Sequence, residues 1–156
     1  MEEKIRIGDF ELDTIIGANH QGILVSIVDR SSKFTKLIKV RSKEAVEVGK
    51  AIIQALSPYK SYLRTLTADN GKEFSCHQNV SKVLEVDFYF ATPYHSWERG
   101  LNEHTNGLVR QYFPKGMNLC EVSDEEVAFV EAALNNRPRK VLSFETPLEV
   151  FQRSLT

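Results

Sequence analysis

The sequence predicts an α/β domain: a mixed five-stranded sheet, three antiparallel strands followed by parallel ones, flanked by helices. Three observations carry this. Short apolar, β-branched runs separated by turn residues open the chain; strands then alternate with helical patterns; and three helical segments close it.

Residues 10–16 form the first strand, with Phe10, Leu12, Ile15 and Ile16 around acidic positions. Residues 17–22 are rich in turn formers. Residues 23–28 are a β-branched second strand, 29–32 a second turn, and 34–40 a third strand with Phe34, Ile38 and Val40 on one face. Such short connections make an antiparallel meander. Ser42 is placed to cap a helix in which Val46, Gly49, Ile52, Ile53 and Leu56 recur at helical spacing, and Pro58 is expected to close it. Residues 63–68 form a fourth strand that ends in Asp69-Asn70-Gly71. Val80, Val83 and Leu84 mark a short helix, 86–90 a fifth strand, and 91–100 a polar loop containing proline. A long helix spans 101–112, with Leu101, Leu108, Val109 and Tyr112 able to face the core. Ser123 and Glu126 have capping-box spacing at the start of the next helix. Thr146 and Glu149 repeat that pattern, with Pro147 at the first helical position. Hairpin strands followed by βαβ crossovers make the sheet mixed.

The 156 residues suit one domain, 1–156, and 42% of them are hydrophobic, enough for a core. No apolar run approaches the ~20 residues of a membrane span, and no signal-peptide pattern opens the chain. The expected location is the cytoplasm, with no membrane partner. Cys76 and Cys120 are too few for a disulfide framework and lack paired zinc-ligand spacing, so both are read as reduced packing residues. A net charge of -1 is not that of a strong autonomous DNA binder. Basic residues do cluster locally: Lys33, Lys36, Lys39, Arg41 and Lys43, then Arg137, Arg139 and Lys140. The first cluster reads equally well as solvated surface.

Three acids stand out by context. Asp13 sits mid-strand among apolar neighbours, where a carboxylate is rare unless paired or metal-bound. Asp69 lies at a strand end, where α/β sheets gather functional side chains. Glu103 opens a helix, on a stripe shared with Asn106, Gly107 and Arg110. Gly107 costs that helix ~1 kcal/mol relative to Ala, which a close approach of another backbone or of DNA would explain. Three carboxylates suit Mg²⁺, and two ions about 3.5–4 Å apart suit in-line phosphoryl displacement.

The segments around these acids, Asp13, then Thr67-Ala68-Asp69-Asn70-Gly71-Lys72-Glu73-Phe74, then Pro93-Tyr94-His95-Ser96-Trp97-Glu98-Arg99-Gly100-Leu101-Asn102-Glu103, resemble the retroviral-integrase-like DDE superfamily. The 33 residues between Asp69 and Glu103 fall within its usual spacing. Together with residues 106–116 and 134–139, the resemblance is closest to the insertion-sequence-thirty transposases and covers residues 8–151. Family members commonly carry Trp near Phe10, Gly near Leu12 and Asn near His104; these departures leave all three acids in place.

The resemblance implies an RNase H-like fold. Asp13, Asp69 and Glu103 are then both catalytic and metal-binding, with Mg²⁺ or Mn²⁺ as cofactor and two ions when DNA is bound. It implies hydrolysis at transposon ends, strand transfer into target DNA, and a homodimer or higher assembly in the synaptic complex. The family's N-terminal helix-turn-helix region is expected to be absent. Arg99, Asn106, Arg110, Lys115 and Arg137 are candidate DNA contacts. Asn70 and Gly71 shape the turn presenting Asp69, Gly107 supports the helix, and Trp97 anchors the loop or stacks on a base. Glu73 reads more as a helix N-terminal charge than as a second acid at the site. Residues 135–138 shape a helix end near the site. The alternatives are an RNase H-like nuclease without strand transfer, and a domesticated, non-catalytic DNA-binding or dimerisation module.

Overall fold

The computed structural model describes residues 6–69, 71–91 and 100–155, and only the backbone course of 100–103. Five strands, β1 (Asp9–Ile16), β2 (Ile23–Asp29), β3 (Thr35–Val40), β4 (Thr65–Ala68) and β5 (Asp87–Phe90), form one sheet in the order β3-β2-β1-β4-β5. The first three pair antiparallel, while β4 runs parallel to both β1 and β5. The helices are α1 (Ala45–Leu56), α2 (His77–Leu84), α3 (Gly100–Arg110), α4 (Asp124–Asn135) and α5 (Pro147–Ser154). Element order and strand directions are those read from the sequence.

Side-chain alternation along β1 decides what each face of the sheet meets. Phe10 and Leu12 point into one core with Ile52 and Leu56 of α1, Leu84 of α2 and Phe151 of α5. Ile15 points into the other, with Leu108 and Val109 of α3 and Val130 and Leu134 of α4. The positions between, Glu11 and Asp13, therefore face the α3–α4 layer. Both are buried, at 2% and 7% exposure.

Caps hold the closing helices. Ser123 accepts from the Glu126 N–H at the start of α4. Thr146 and Glu149 form a complete capping box at α5, with Pro147 in its first turn. α4 is pinned to the sheet edge by Asn135, whose amide accepts from Thr35 N–H and donates to Thr35 C=O, both at 2.8 Å. An edge strand leaves such groups unpaired, and here a buried side chain takes both. Asp29, fully buried, accepts from Gly8 N–H, Ser32 N–H and Ser32 Oγ, which fixes the β2–β3 turn.

Several sequence expectations are corrected. α1 begins at Ala45, with Glu44 rather than Ser42 at its N-cap position. Pro58 does not end the helical path. It sits early in a 3-10 run, Ser57–Tyr62, where its missing N–H costs little. Tyr112 does not face the core. The chain tightens after Arg110 through Gln111 N–H to Leu108 C=O and Tyr112 N–H to Val109 C=O, which turns Phe113 inward and leaves Tyr112 38% exposed. Cys76 is half-buried, and Cys120 is exposed rather than packed, because Leu119 takes the inward position of its 3-10 turn.

Candidate active site

β1 and β4 set the stage. Their ladder pairs Asp9 with Thr65 and Glu11 with Thr67 and ends there; Asp13 lies two residues further along β1, and Asp69 two residues beyond Thr67. In adjacent parallel strands, paired residues project to the same face. The Thr65 hydroxyl donates to Asp9 Oδ1 at 2.7 Å on that face, two pairs below. Asp69, half-buried, is the first residue beyond β4. The turn residue Asn70 lies outside the described residues. A Cβ at Gly71 would come 2.6 Å from the Glu73 carboxylate, the far end of a flexible side chain that would have to shift.

α3 closes over Asp13. Asn106 Nδ2 donates to Asp13 Oδ2 at 2.9 Å, and the Thr14 backbone N–H donates to Oδ1 at 2.9 Å. The amide orientation follows from the carboxylate, since turning its oxygen toward Asp13 would oppose two acceptors. Asn106 Oδ1 is consequently buried with no hydrogen-bond partner among the described residues. Ser26, paired with Asp13 across β1–β2, is also fully buried, with an Oγ that has no such partner.

Glu103 belongs to α3, one helical turn before Asn106, so its backbone rides on the segment that clamps Asp13. Its side chain lies outside the described residues, as do Trp97 and Arg99. Among the described residues, no group of three His, Cys, Asp or Glu is arranged to hold a metal. The donors in view suit a hard divalent cation nonetheless. Carboxylate oxygens come from two neighbouring strands, and two buried oxygens, Asn106 Oδ1 and Ser26 Oγ, lack partners among the described residues.

The remaining candidates separate. Arg110 is half-buried, and its Nη2 donates to Ile16 C=O at 2.9 Å, tying α3 to the end of β1. Asn106 likewise spends its amide N–H on Asp13. Lys115 is exposed, and Arg137 is exposed with Nη1 donating to Gln111 Oε1 at 3.2 Å. Gly107 has open space, with nothing within 4 Å of a built Cβ, so no described backbone packs there. Glu73 opens a 3-10 turn and accepts from Thr14 Oγ1 at 3.2 Å. Thr14 alternates to the α1 side of the sheet, so Glu73 is held away from Asp13. Lys36 and Lys39 of the first basic cluster are internal fasteners: Lys36 pairs with Glu131, and Lys39 Nζ donates to Cys120 and Val122 C=O. Sequence reading missed the clamp of Asn106 on Asp13, 93 residues apart; the amide on Glu103's stripe was its signal.

No protein-family model matches the chain. Among curated proteins, the transposase for insertion sequence element IS4351 of Bacteroides fragilis is 50% identical over 98% of this chain. Transposase InsI for insertion sequence element IS30A of Escherichia coli (strain K12) is 38% identical over 99% of it. The chain covers 47% and 40% of these two proteins, so it spans about half the length of the relatives it matches. Among solved structures, the catalytic core domain of BIV integrase superposes with a TM-score of 0.74 at 22% identity, covering 94% of both chains. That likeness establishes the fold, an RNase H-like integrase-core sheet with its helices. No helix among the described residues is long and apolar enough to cross a membrane. By sequence the chain is a homologue of the insertion-sequence transposases, IS30 among them, and by architecture it has the fold of a retroviral-integrase catalytic core.

Proposed function

We propose that this chain is the catalytic core of a DDE transposase, which cuts and joins DNA by divalent-metal-dependent, in-line phosphoryl transfer. One observation supports the reading: Asn106 clamps α3 onto the buried Asp13 one turn from Glu103, on the strand whose parallel neighbour β4 ends just before Asp69. Homology to transposases supports the same conclusion.

In this reading Asp13, Asp69 and Glu103 hold Mg²⁺ or Mn²⁺, with two ions when DNA is bound. Such a cation supplies Lewis acidity at the phosphoryl oxygens and eases deprotonation of the attacking hydroxyl. The chain's own contribution is orientation. Asp13 is buried and gripped at both oxygens, so its lone pairs are aimed before substrate arrives. Water attacks the phosphorus at a transposon end, the P–O3′ bond breaks, and a 3′-hydroxyl is released. That hydroxyl then attacks a target phosphodiester, forming a new P–O3′ bond as the old one breaks and its oxygen takes up a proton. No protein nucleophile is needed. DNA ends and target are the partners, synapsis of two ends calls for a homodimer or larger assembly, and the site of action is the bacterial nucleoid in the cytoplasm.

The test is Mn²⁺-dependent end cleavage and strand transfer by Asp69→Asn and Glu103→Gln variants. Each loses at least ~10³-fold in rate, corresponding to ~4 kcal/mol of transition-state stabilisation, while melting like the parent. Retained joining in either variant overturns the assignment. Cleavage without joining by the parent points to an RNase H-like nuclease, and binding without cleavage to a non-catalytic module.

A further inference from the structure

Next to α3 lies a second basin, with a free volume of about 540 Å³, in which basic side chains stand among the apolar Leu108, Pro138 and Val141. Lys33 comes from the β2–β3 turn, His104 from α3, and Arg137, Arg139 and Lys140 from the segment after α4. Among the described residues, no acidic side chain lines it. Arg137, Arg139 and Lys140 likewise have no carboxylate partner among them. Arg139 is half-buried: Nη2 donates to Leu134 C=O at 3.3 Å, while its buried Nε has no hydrogen-bond partner among the described residues. Burial and the neighbouring Arg137 both push the Arg139 guanidinium down from its usual range, so its charge is held at a cost. Lys33 is likewise pushed down by burial, against the opposing pull of Asp29 and Glu11.

The wall is not a loose surface run. Residues 139–145 fold back on themselves: Arg139 N–H donates to Glu145 C=O at 3.0 Å, and Phe144 N–H to Arg139 C=O at 2.8 Å. Arg153 grips Glu145 with two 2.7 Å bonds. Ser143 and Phe144 both take left-handed backbone conformations, at φ 53° and 68°, so this shape is imposed at some conformational cost. The result is a basin bordered by guanidinium and ammonium groups, of which Lys33 Nζ donates to Arg30 C=O and Arg137 Nη1 to Gln111 Oε1, leaving further N–H groups of Arg137 and Arg139 and the Lys140 ammonium as donors. An anion with several acceptor oxygens satisfies it, and guanidinium groups match phosphate by paired N–H bonds.

We propose that this basin is a DNA-phosphate site: it seats a backbone phosphodiester of the strand being processed, away from the reacting carboxylates. This deepens the transposase reading and rests on it. The shared helix sets the scale. Asn106 carries the carboxylate side of α3, and His104 with Leu108 the basin side. A helix with side chains is about 10–12 Å across. The rise along the axis is ~3.4 Å per nucleotide and the phosphates wind around it, so that width spans at most about three nucleotides of strand. The site therefore takes a phosphate within about three nucleotides of the scissile one and fixes the strand's register.

The test uses the full chain with fluorescent DNA, in EDTA for binding and in Mn²⁺ for strand transfer. Oligonucleotides carry a neutral methylphosphonate at one position, one to six nucleotides from the reacting 3′ end. The variants are Arg137→Gln/Lys140→Gln and Arg139→Gln; the first alters two exposed residues, so it guards against a folding defect in the second. The parent should show a weakened response at one position, within about the first three, and the variants should lose that position dependence. Affinity in EDTA should fall roughly tenfold per cation removed, and the salt slope by about 0.9 for each duplex phosphate no longer neutralised. Parent-like affinity, slope and position dependence in the double variant overturn the proposal, as does an absence of DNA binding by the parent. A change of oligomeric state with unchanged DNA binding overturns it in favour of a protein interface. The two readings fail separately: if the parent binds with the expected position dependence in EDTA but neither cuts nor joins, the functional reading fails and the phosphate site stands.

Discussion

Replacing Asn106 by Asp tests the packing of α3 on β1 with almost no change of shape. The Asn106 amide donates to Asp13 Oδ2 at 2.9 Å, beside a carboxylate that is 7% exposed. In the variant two carboxylates meet at that distance. With both ionised, repulsion of two charges near 4 Å at an effective dielectric of about 20 costs ~4 kcal/mol, and a charge-assisted hydrogen bond worth ~1.5–3 kcal/mol is removed as well. The folded pair escapes much of this by holding one proton, so its affinity for that proton rises above that of the unfolded chain. The sign follows. A carboxyl pair with a raised folded-state pKa contributes its stability at low pH and loses it as pH rises. The variant should match the parent near pH 4. It should then lose up to ~1.4 kcal/mol per pH unit, reaching ~4 kcal/mol near neutrality. Urea unfolding at four pH values between 4 and 7.5 measures this. A difference from the parent that does not change with pH refutes the Asn106–Asp13 hydrogen bond, and with it the placement of Glu103's helix over Asp13.

Two further substitutions test the scaffold. Asp29→Ala leaves the Gly8 and Ser32 N–H groups without their acceptor in a buried turn and should destabilise by ~3 kcal/mol in urea titrations; a loss below ~1 kcal/mol contradicts the assigned bonds. Asn135→Leu removes both partners of Thr35 on the sheet edge and should cost ~2–4 kcal/mol, with early hydrogen exchange at Thr35; unchanged protection there is the contrary result.

Much of this arrangement is legible in the chain. Strand period, turn residues and capping spacings are local signals, and they place Asp13 mid-strand and Asp69 at a strand end. The mixed strand directions follow from the rules for hairpins and crossovers, while the placement of β4 beside β1 is seen only in the fold. What is not legible depends on interactions between distant segments. Asn135 reads as a helix-end residue, and only the folded chain brings it to Thr35, 100 residues away. The run of Arg137, Arg139 and Lys140 is legible as a basic cluster, but only the folded chain brings Lys33 and His104 to it. Helix phase fails where geometry changes: Tyr112 has the right spacing for the core, but the chain leaves α-helical winding after Arg110 and Phe113 takes the place. Gly107 suggests a close approach of another backbone or of DNA, and among the described residues the protein offers no such backbone there.

The central claim is that Asp13, Asp69 and Glu103 meet around divalent cations. Crystals of the chain soaked in Mn²⁺, with anomalous scattering recorded, test it most directly. The account predicts a manganese peak ligated by both Asp13 and Asp69, with the Glu103 carboxylate as a further ligand or within one water of the ion. Manganese bound elsewhere, or Asp13 and Asp69 each turned to separate partners with no ion between them, contradicts it.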